Sequence, residues 1–276
     1  MKAFILAAGL GSRLAPLTND KPKALVEVDG KTMLEGLILR LKSVGITKIL
    51  INTHHHSQLI IDFIKSKEWE GLSIEISDER GELLDTGGAI VKATAFFEGQ
   101  ENILVHNVDI YTEVDFSKLE KQHRESNSLV SLCVRDRDSS RALLFDNNNK
   151  LCGWTNKLIG EFKWVKGKKE DYKSKAYSGV YIASPDFARK IPFKGNFSII
   201  ETWLKMAETE IISAYNDSTE FWFDLGTVDK IRTAESQLEK KKRSRRFLEK
   251  VASEMKLMSQ EDLLKTAVIL PNKRSV

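Results

Sequence analysis

Residues 6–28 of the chain read LAAGLGSRLAPLTNDKPKALVEV and begin at the end of a short apolar strand. Gly9 and Gly11 permit tight turns, and such turns expose successive backbone N–H groups that form a concavity for anions. Arg13 adds a forked, permanently charged side chain, and Lys23 adds a second cation. The stretch therefore predicts a cradle for a polyphosphate at the carboxyl end of the first strand, where open α/β sheets bind ligands.

Two common phosphate-binding motifs are excluded by the residues in this region. A dinucleotide-binding fingerprint requires a third glycine where Leu14 stands. A P-loop requires a glycine where Leu25 stands, ahead of the sequence Gly30-Lys31-Thr32. Isolated glycines often do no more than turn the chain, but the two nearby cations favour phosphate binding.

The first half of the chain alternates between strands and helices. Apolar residues at helical spacing predict helices over residues 32–45 and 58–66, and a further helix over 87–97 starts at a glycine pair. This alternation, which continues to about residue 125, favours βαβ units on a largely parallel sheet. From about residue 128 the predicted strands follow one another closely, so we expect an antiparallel elaboration of the same α/β domain.

The composition is that of a globular protein, since 41% of the 276 residues are hydrophobic and 30% are charged. No run of about 18 apolar residues is present, which excludes a transmembrane helix. Glycine and arginine interrupt the apolar start of the chain too early for a signal peptide. Cys133 and Cys152 are too few for a disulfide framework or a four-cysteine zinc site, which predicts a cytoplasmic location.

The formal net charge of +4 is concentrated near the C-terminus, where residues 240–246 read KKKRSRR. The rest of the chain is near neutral, so we expect no nucleic-acid partner. We interpret residues 1–235 as one domain and residues 236–276 as a helical extension, with helix to about residue 265. The extension carries an apolar stripe that predicts docking on its own domain or on a second copy, with membrane contact as a weaker alternative. The stripe consists of Phe247, Leu248, Val251, Met255 and Met258.

Two aspartates stand at predicted strand ends, where they could bind a metal ion. Asp109 follows an apolar strand, and Asp224 lies between an aromatic strand and a glycine turn. Reactions of phosphate groups usually use Mg²⁺, which takes one or two protein carboxylates. Each aspartate could instead be a loop residue or a helix N-cap. The three consecutive histidines at residues 54–56 cannot share one face of a regular element, so we expect no zinc site.

The segment LAAGLGSRLAPLTNDKPKAL closely resembles the signature AAGxGxR…PK of the nucleotidyltransferases that activate sugar 1-phosphates, the NDP-sugar pyrophosphorylases. The resemblance covers about residues 1–235. It implies an α/β, Rossmann-like three-layer fold (GT-A-like) with a mixed, mostly parallel central sheet. The details HNVD and TGG most resemble short bacterial members, which include N-acetylmuramate-1-phosphate uridylyltransferases and mannose-1-phosphate guanylyltransferases.

The resemblance implies roles for the phosphate cradle and for the segment before the third helix. Arg13 would hold the departing pyrophosphate, and Lys23 would neutralise charge near the α-phosphate. The nucleotide would lie along the backbone of Ala8, Gly9 and Gly11. Beside the base, the resemblance places Glu79, Thr86 and Gly87, although Thr86 could also be a helix N-cap.

Metal and sugar contacts follow from the same resemblance. Asp109 and Asp224 would be the metal ligands, and Trp222, Asp224, Gly226 and Thr227 match a late W-x-D-x-G-T pattern of the family. Four residues would contact the sugar: Asn107, Lys157, Gly179 and Glu201. Asn156 stands where the family often has glutamate before the lysine, which leaves the sugar open.

The resulting hypothesis is an enzyme of the EC 2.7.7 class. It would use Mg²⁺ to transfer a nucleotidyl group from an NTP, with UTP or GTP favoured, to a sugar 1-phosphate. One alternative is a phosphocholine cytidylyltransferase, whose choline would need an aromatic cage. The candidates for that cage are Trp154, Trp164, Tyr172 and Tyr177. Another alternative is a non-catalytic nucleotide-sensing subunit that uses the C-terminal helix to bind a partner or a second copy.

Overall fold

The computed structural model describes residues 1–167 and 170–257. The chain divides into a first unit, Met1–Lys230, and a second unit that begins at Ile231. The strands in the described ranges are β1 (Lys2–Leu6), β2 (Glu27–Val28), β3 (Lys31–Thr32), β4 (Lys48–Thr53), β5 (Ser73–Asp78), β6 (Ile103–Asn107), β7 (Ile110–Thr112), β8 (Val130–Arg135), β9 (Arg141–Phe145), β10 (Leu151–Asn156), β11 (Glu161–Trp164), β12 (Lys173–Ala183), β13 (Ile212–Asn216) and β14 (Trp222–Asp224). The helices are α1 (Met33–Ser43), α2 (Ser57–Lys65), α3 (Asp85–Lys92), α4 (Thr94–Phe97), α5 (Phe116–Glu125), α6 (Phe187–Lys190), α7 (Ile199–Met206) and α8 (Val228–Leu257).

Ten of these strands form one mixed sheet. Parallel pairing joins β5, β4, β1 and β6, and it also joins β13 to β8. Antiparallel pairing joins β6 to β12 and continues through β9, β10 and β11. The closely spaced strands of the second half therefore extend the sheet of the first half. The expected mixed α/β fold is confirmed.

Strand β12 connects the parallel and antiparallel parts of the sheet. Its first three residues pair with β9, and the rest of the strand pairs with β6 and β8. Its register against β8 shifts between Tyr177 and Tyr181, and Gly179 in this interval has φ = +81°. Such an irregularity frees backbone groups from the ladder and turns neighbouring side chains. Here it places the backbone of residues 177–179 beside the ends of β6 and β14.

An aromatic cluster anchors α6 and α7 to the sheet. Trp203 is fully buried, and its ring meets Tyr177 and Tyr181 edge-on at centroid distances of 5.1 and 5.2 Å. Tyr181 in turn meets Phe187 of α6 at 6.3 Å. Edge-to-face pairs of this kind each add about 0.5–1.5 kcal/mol beyond the burial of their area. The cluster therefore fixes the two helices against the sheet.

Helix α3 differs from the prediction in its start and its length. It begins at Asp85 rather than at the glycine pair, and it ends at Lys92. The predicted single helix over 87–97 is divided there, because the hydroxyl of Thr94 donates to the carbonyl oxygen of Val91 (2.6 Å). Side chains of threonine compete in this way with the helical hydrogen bonds of the backbone.

The second unit is described only along α8. Arg243 pairs with Glu239, and Arg245 pairs with Glu249, each one helical turn away. All four side chains are exposed to solvent. Phe247 is 65% exposed. Leu248 of the predicted stripe is also exposed, whereas the side chains of Val251, Met255 and Met258, and all helix predicted beyond residue 257, lie outside the described residues. No helix in the described ranges is long and apolar enough to cross a membrane.

Two buried histidines couple the stability of the fold to pH. His106 at the end of β6 has its Nδ1 atom 2.8 Å from the carbonyl oxygen of Asn107, and burial lowers its pKa to about 4. His123 of α5 contacts the hydroxyls of Ser131 and Ser184, and burial lowers its pKa to about 4 as well. Both rings are therefore neutral in the folded protein at neutral pH.

We expect the free energy of unfolding to fall as the pH is lowered from 6.5 to about 4. The histidines of the unfolded chain take up protons near their ordinary pKa of about 6.5, whereas the buried rings stay neutral, so protonation favours unfolding in this window. Urea denaturation at several pH values measures the effect. The variant His106→Leu should show a shallower dependence on pH than the wild type. Equal slopes for both proteins would contradict the assignment to His106.

Candidate functional site

The glycine-rich loop begins directly after β1. The N–H group of Ala7 donates to Oδ1 of Asn52 (2.7 Å), which holds the start of the loop against the end of β4. Gly11 has φ = +69°, and a Cβ atom there would lie 3.1 Å from Cβ of Lys23 and 3.2 Å from Cγ2 of Thr18. Glycine is therefore favoured at this position for two reasons. It adopts the positive φ readily, and it has no Cβ atom to crowd the side chain of Lys23.

A cavity of about 340 Å³ opens beside this loop. Its walls are the carboxyl-terminal ends of the parallel strands β1, β4 and β6, together with the segment from β5 into α3. Ligand sites of open α/β sheets lie at this edge, and their volumes start at about 300 Å³. Seven of the predicted site residues line the cavity: Ala8, Gly9, Lys23, Glu79, Thr86, Asn107 and Asp109.

The two aspartates predicted to bind a metal ion are brought together by the ribbon of β7 and β14. Asp224 ends β14 and lies opposite Ile110, the first residue of β7. The N–H group of Leu225 donates to the carbonyl oxygen of Asp109 (2.8 Å). The backbones of Asp109 and Asp224 are thus neighbours, although the two residues are far apart in the sequence.

Lys23 reaches from the glycine-rich loop to the first of these carboxylates. Its ammonium group forms an ion pair with Oδ2 of Asp109. The side chains are only 11% and 18% exposed, respectively, so the pair is shielded from solvent and only weakly screened by salt. The loop thereby fixes a cation at the wall of the cavity.

The second carboxylate, Asp224, lies among positive groups. Lys230 donates to its Oδ2 (2.5 Å) and the N–H group of Gly226 to its Oδ1 (2.9 Å). A Cβ atom at Gly226 would lie 2.7 Å from Oδ1 of Asp224 and 3.1 Å from Nη2 of Arg13, so the guanidinium of Arg13 borders the same place. Burial raises the pKa of Asp224, but Lys230 and the N–H of Gly226 outweigh burial and hold it below its ordinary value. Asp224 is therefore ionised at neutral pH.

Glu79 is a buried carboxylate in the cavity wall, only 1% exposed. Its Oε1 accepts a hydrogen bond from the amide of Asn52 (3.0 Å), and its Oε2 is buried without a hydrogen-bond partner. Burial raises the pKa of Glu79, and the hydrogen bond from Asn52 opposes that shift. A buried carboxylate oxygen without a partner is costly, which points to a ligand that donates to it.

Thr86 and Gly87 take different places at the start of α3. Thr86 lines the cavity, and its hydroxyl oxygen accepts the N–H of Ile199 (3.1 Å) rather than capping the helix. Gly87 faces away from the cavity, since its N–H donates to the carbonyl oxygen of Phe197 (2.9 Å) and a Cβ atom would lie 2.3 Å from the ring of Phe197. The N–H of Gly87 is therefore used within the fold, where the residue packs α3 closely against Phe197, and its place beside the base stays a prediction.

The four residues predicted to contact the sugar are divided by the structure. Asn107 lines the cavity, and a Cβ atom at Gly179 would lie 3.3 Å from its Nδ2, so these two residues are adjacent. Lys157 is exposed in the turn after β10, and Glu201 is 54% exposed on α7, where Lys163 lies 4.0 Å away. Neither Lys157 nor Glu201 lines the cavity described above.

Sequence reasoning missed several residues of the site. Asn52, Asp85 and Asn196 line the cavity, and Lys230 contacts Asp224. Asn52 could have been found, because it is a polar residue at the end of a buried strand, as Asp109 is. The other three carry no such signal, since loops and a helix start that are distant in sequence bring them here.

The three consecutive histidines at residues 54–56 have different neighbours. Nδ1 of His54 lies 2.7 Å from the carbonyl oxygen of Glu79, and the rings of His55 and His56 contact each other at an interplanar angle of 56°, with their centroids 3.9 Å apart. Over the described ranges, no group of three or more histidine, cysteine, aspartate or glutamate residues could hold a metal ion. The pair Asp109 and Asp224 falls below that number, and one or two carboxylates are the usual protein ligands of Mg²⁺ beside phosphates.

This geometry defines an α/β protein whose glycine-rich loop, cations and carboxylates meet beside a cavity at the carboxyl-terminal edge of the sheet. The nucleotidyl transferase family model matches residues 2–241, and the chain belongs to that family. It is therefore an enzyme of the nucleotidyltransferase class, as the glycine-rich loop predicted. The match covers the whole first unit and the start of α8.

Curated relatives agree with this membership. An N-acetylmuramate α-1-phosphate uridylyltransferase of Caulobacter vibrioides is 32% identical over 209 residues, which are 74% of this chain and 84% of the relative. A probable mannose-1-phosphate guanylyltransferase of Oryza sativa is 27% identical over 228 residues, 82% of this chain and 61% of that protein. The chain thus spans most of the bacterial relative and about three fifths of the plant one.

A solved structure shows the same fold. HddC from Yersinia pseudotuberculosis, complexed with GMP-PN, superposes with a TM-score of 0.69 at 24% identity. The superposition covers 86% of this chain and 99% of HddC. At this identity the likeness supports the fold and carries no conclusion about substrates.

Proposed function

We propose that this nucleotidyltransferase transfers a nucleotidyl group from UTP or GTP to a sugar 1-phosphate, giving an NDP-sugar and pyrophosphate. The observation that carries the proposal is the convergence of Lys23 and Arg13 with Asp109 and Asp224 beside the cavity. The names of the curated relatives, which use a sugar 1-phosphate with a uridylyl or guanylyl group, support the acceptor and the two bases.

The proposed reaction needs no protein nucleophile. An anionic oxygen of the sugar 1-phosphate attacks the α-phosphorus of the triphosphate, and the bond between the α-phosphorus and its bridging oxygen breaks to release pyrophosphate. Positioning and charge neutralisation then provide the rate enhancement. We assign the α-phosphate to Lys23 and the departing pyrophosphate to Arg13, with the backbone of Ala8, Gly9 and Gly11 along the nucleotide.

The residues at the site fit a magnesium ion. Asp109 and Asp224 would hold it, because their backbones are neighbours and both are acceptor groups beside the phosphate loop. When bound, the ion neutralises charge on the phosphate oxygens. Lys23 and Lys230 now occupy these carboxylates, so either lysine would be freed to contact phosphate oxygens when the carboxylates ligate a cation.

The structure gives less support to the two alternatives. Of the four candidates for the choline cage, Trp164 and Tyr172 meet at 5.3 Å, but Tyr177 is packed on Trp203 inside the core and Lys163 lies 5.5 Å over the ring of Trp154. A non-catalytic sensing subunit would not need both carboxylates and both cations at the cavity. The proposal also includes a role of Lys157 and Glu201 in sugar binding. It further includes oligomerisation through α8 and a cytoplasmic location.

Pyrophosphate release tests the proposal. The protein is incubated with Mg²⁺ and each of the four NTPs, crossed with a panel of sugar 1-phosphates and phosphocholine. We expect release only with UTP or GTP and a sugar 1-phosphate, and none without Mg²⁺. Release only with CTP and phosphocholine would favour the first alternative. Nucleotide binding without release on any pair would favour the sensing subunit.

We expect Glu79→Gln to lower kcat/KM for GTP by about tenfold or more, and to affect UTP less. The free Oε2 of Glu79 can accept hydrogen bonds from the adjacent N–H groups of guanine, whereas uracil offers one N–H between two carbonyl oxygens. Glutamine replaces one carboxylate oxygen, an acceptor, with an NH2 group, a donor. That group can bind a carbonyl oxygen of the base but not an N–H group. Steady-state kinetics with both nucleotides measure the change. Glu82→Gln, an exposed glutamate three residues along, is the control. Equal values for wild type and Glu79→Gln with both nucleotides would remove Glu79 from base recognition.

A further inference from the structure

Two arginines lie against Trp222, and they differ in their partners. The guanidinium of Arg135 lies 5.7 Å from the ring centre and that of Arg137 lies 4.7 Å from it. Arg135 forms an ion pair with Asp217, whose side chain is 1% exposed, and donates to the carbonyl oxygen of Thr219 (2.6 Å). The charge of Arg135 is therefore neutralised within the fold, and we interpret it as structural.

Arg137 is exposed, and its contacts within the described residues are to neutral groups. Its Nη2 donates to the carbonyl oxygen of Tyr177 (3.3 Å) and its Nη1 to that of Asp138 (3.4 Å), both long bonds to neutral acceptors. Over residues 1–167 and 170–257, it forms no ion pair within 4.0 Å. A guanidinium has five N–H donors, so most of its donors are free for an anion. The ring of Trp222 provides a cation–π contact that restrains this guanidinium.

Arg137 lies at the edge of the site described above. Trp222 and Asp224 are two residues apart on β14, so their side chains point to the same face. Burial lowers the pKa of Arg137 and the charge of Asp224 opposes that shift, which places the two groups within electrostatic reach. The indole N–H of Trp222 donates to the carbonyl oxygen of Ser178 (3.0 Å), next to Gly179. This segment of β12 therefore connects Arg137 with Asn107, the predicted sugar contact in the cavity wall.

We propose that Arg137, stacked on Trp222, binds the phosphate of the acceptor. This inference rests on the proposed function for the identity of the acceptor, a sugar 1-phosphate. A planar guanidinium can bind two phosphate oxygens at once, and stacking removes much of the cost of ordering the side chain. Lys23 and Arg13 border the carboxylates from the glycine-rich loop, whereas Arg137 lies in the loop after β8 and reaches the side of Asp224 through its contacts with β12 and β14. The acceptor phosphate would thereby be held beside the α-phosphate of the nucleotide.

Steady-state kinetics of four variants test the proposal. Arg137→Ala should raise the KM for the sugar 1-phosphate by about 10- to 100-fold and leave the KM for the NTP unchanged. Arg137→Lys should give a smaller rise, because lysine keeps the charge but loses the planar fork. Arg189→Ala, an exposed arginine at the end of α6, is the matched control. Arg141→Ala tests the next exposed arginine along the chain. Thermal denaturation of each variant distinguishes a folding defect from a loss of phosphate binding. A folding defect would impair the reaction with respect to both substrates.

The outcomes decide between a binding role and its absence. An unchanged acceptor KM in Arg137→Ala overturns the proposal, and so does a rise confined to Arg141→Ala. If the wild type turns over no acceptor, the proposed function fails, and inorganic phosphate becomes the probe. Calorimetry then measures its binding with a non-hydrolysable NTP filling the glycine-rich loop. Weaker binding in Arg137→Ala but not in Arg189→Ala supports an anion site, whereas equal binding in both overturns it.

Discussion

Replacing Lys23 with alanine should lower kcat by on the order of 100-fold or more and change the KM values less. Lys23 is the cation that the glycine-rich loop fixes at the cavity wall, where it is paired with Asp109 and largely buried. In the proposed reaction, negative charge moves from the α-phosphate towards the departing pyrophosphate. A fixed cation stabilises that transition state more than the bound substrates, which is why kcat carries the loss.

Matched variants separate this role from folding. Lys31→Ala removes an exposed lysine on β3 and should keep the turnover of the wild type. Lys23→Arg keeps the charge with another shape and should recover part of the activity. Thermal denaturation should show that Lys23→Ala remains folded. Turnover near the wild-type value in folded Lys23→Ala would rule out the assigned role.

Asp109→Asn should also lower turnover by on the order of 100-fold or more, with a higher requirement for Mg²⁺. Asp109 follows the end of β6, and its backbone is the neighbour of Asp224 at the end of β14. Asparagine has nearly the same shape as aspartate, but it lacks the negative charge that attracts a divalent cation. The rate is measured over a range of Mg²⁺ concentrations, and binding of Mn²⁺ alone is measured by calorimetry as a readout that does not depend on turnover.

The control for this variant is Asp62→Asn, an exposed aspartate on α2 that should leave both the rate and Mn²⁺ binding unchanged. Asp224→Asn should weaken Mn²⁺ binding in the same direction as Asp109→Asn. Unaltered Mn²⁺ affinity in both Asp109→Asn and Asp224→Asn would show that these carboxylates do not hold the metal ion.

Much of the site could be predicted because its residues follow strands that end at one edge of the sheet. The glycine-rich loop, Lys23 and Asp109 belong to this group, and Glu79 and Thr86 lie in the segment that closes the cavity. Two of the predicted residues that do not line the cavity, Lys157 and Glu201, come from the turn after β10 in the antiparallel part of the sheet and from α7. In these parts of the fold, the position of a residue in the sequence does not predict whether its side chain points towards the cavity.

The pairing of short strands could not be predicted from the sequence either. β7 and β14 have three residues each, too few for a periodic pattern, yet their pairing brings Asp224 beside Asp109. Likewise β13 contributes to the sheet only through its pairing with β8. Such elements are stabilised by partners elsewhere in the chain rather than by their own sequence.

The sequence by itself determined the alternation of strands and helices in the first half, the phosphate-binding loop and the class of enzyme. These properties depend on local periodicity, on glycines that free the backbone, and on polar residues at strand ends. Only the tertiary structure decided that Glu79 is buried with a free oxygen, that Gly87 packs against Phe197, and that Arg137 stacks on Trp222 without a carboxylate. Each of these depends on contacts between segments distant in the chain, and the packing of the whole domain, not the neighbouring sequence, fixes which groups remain without a partner.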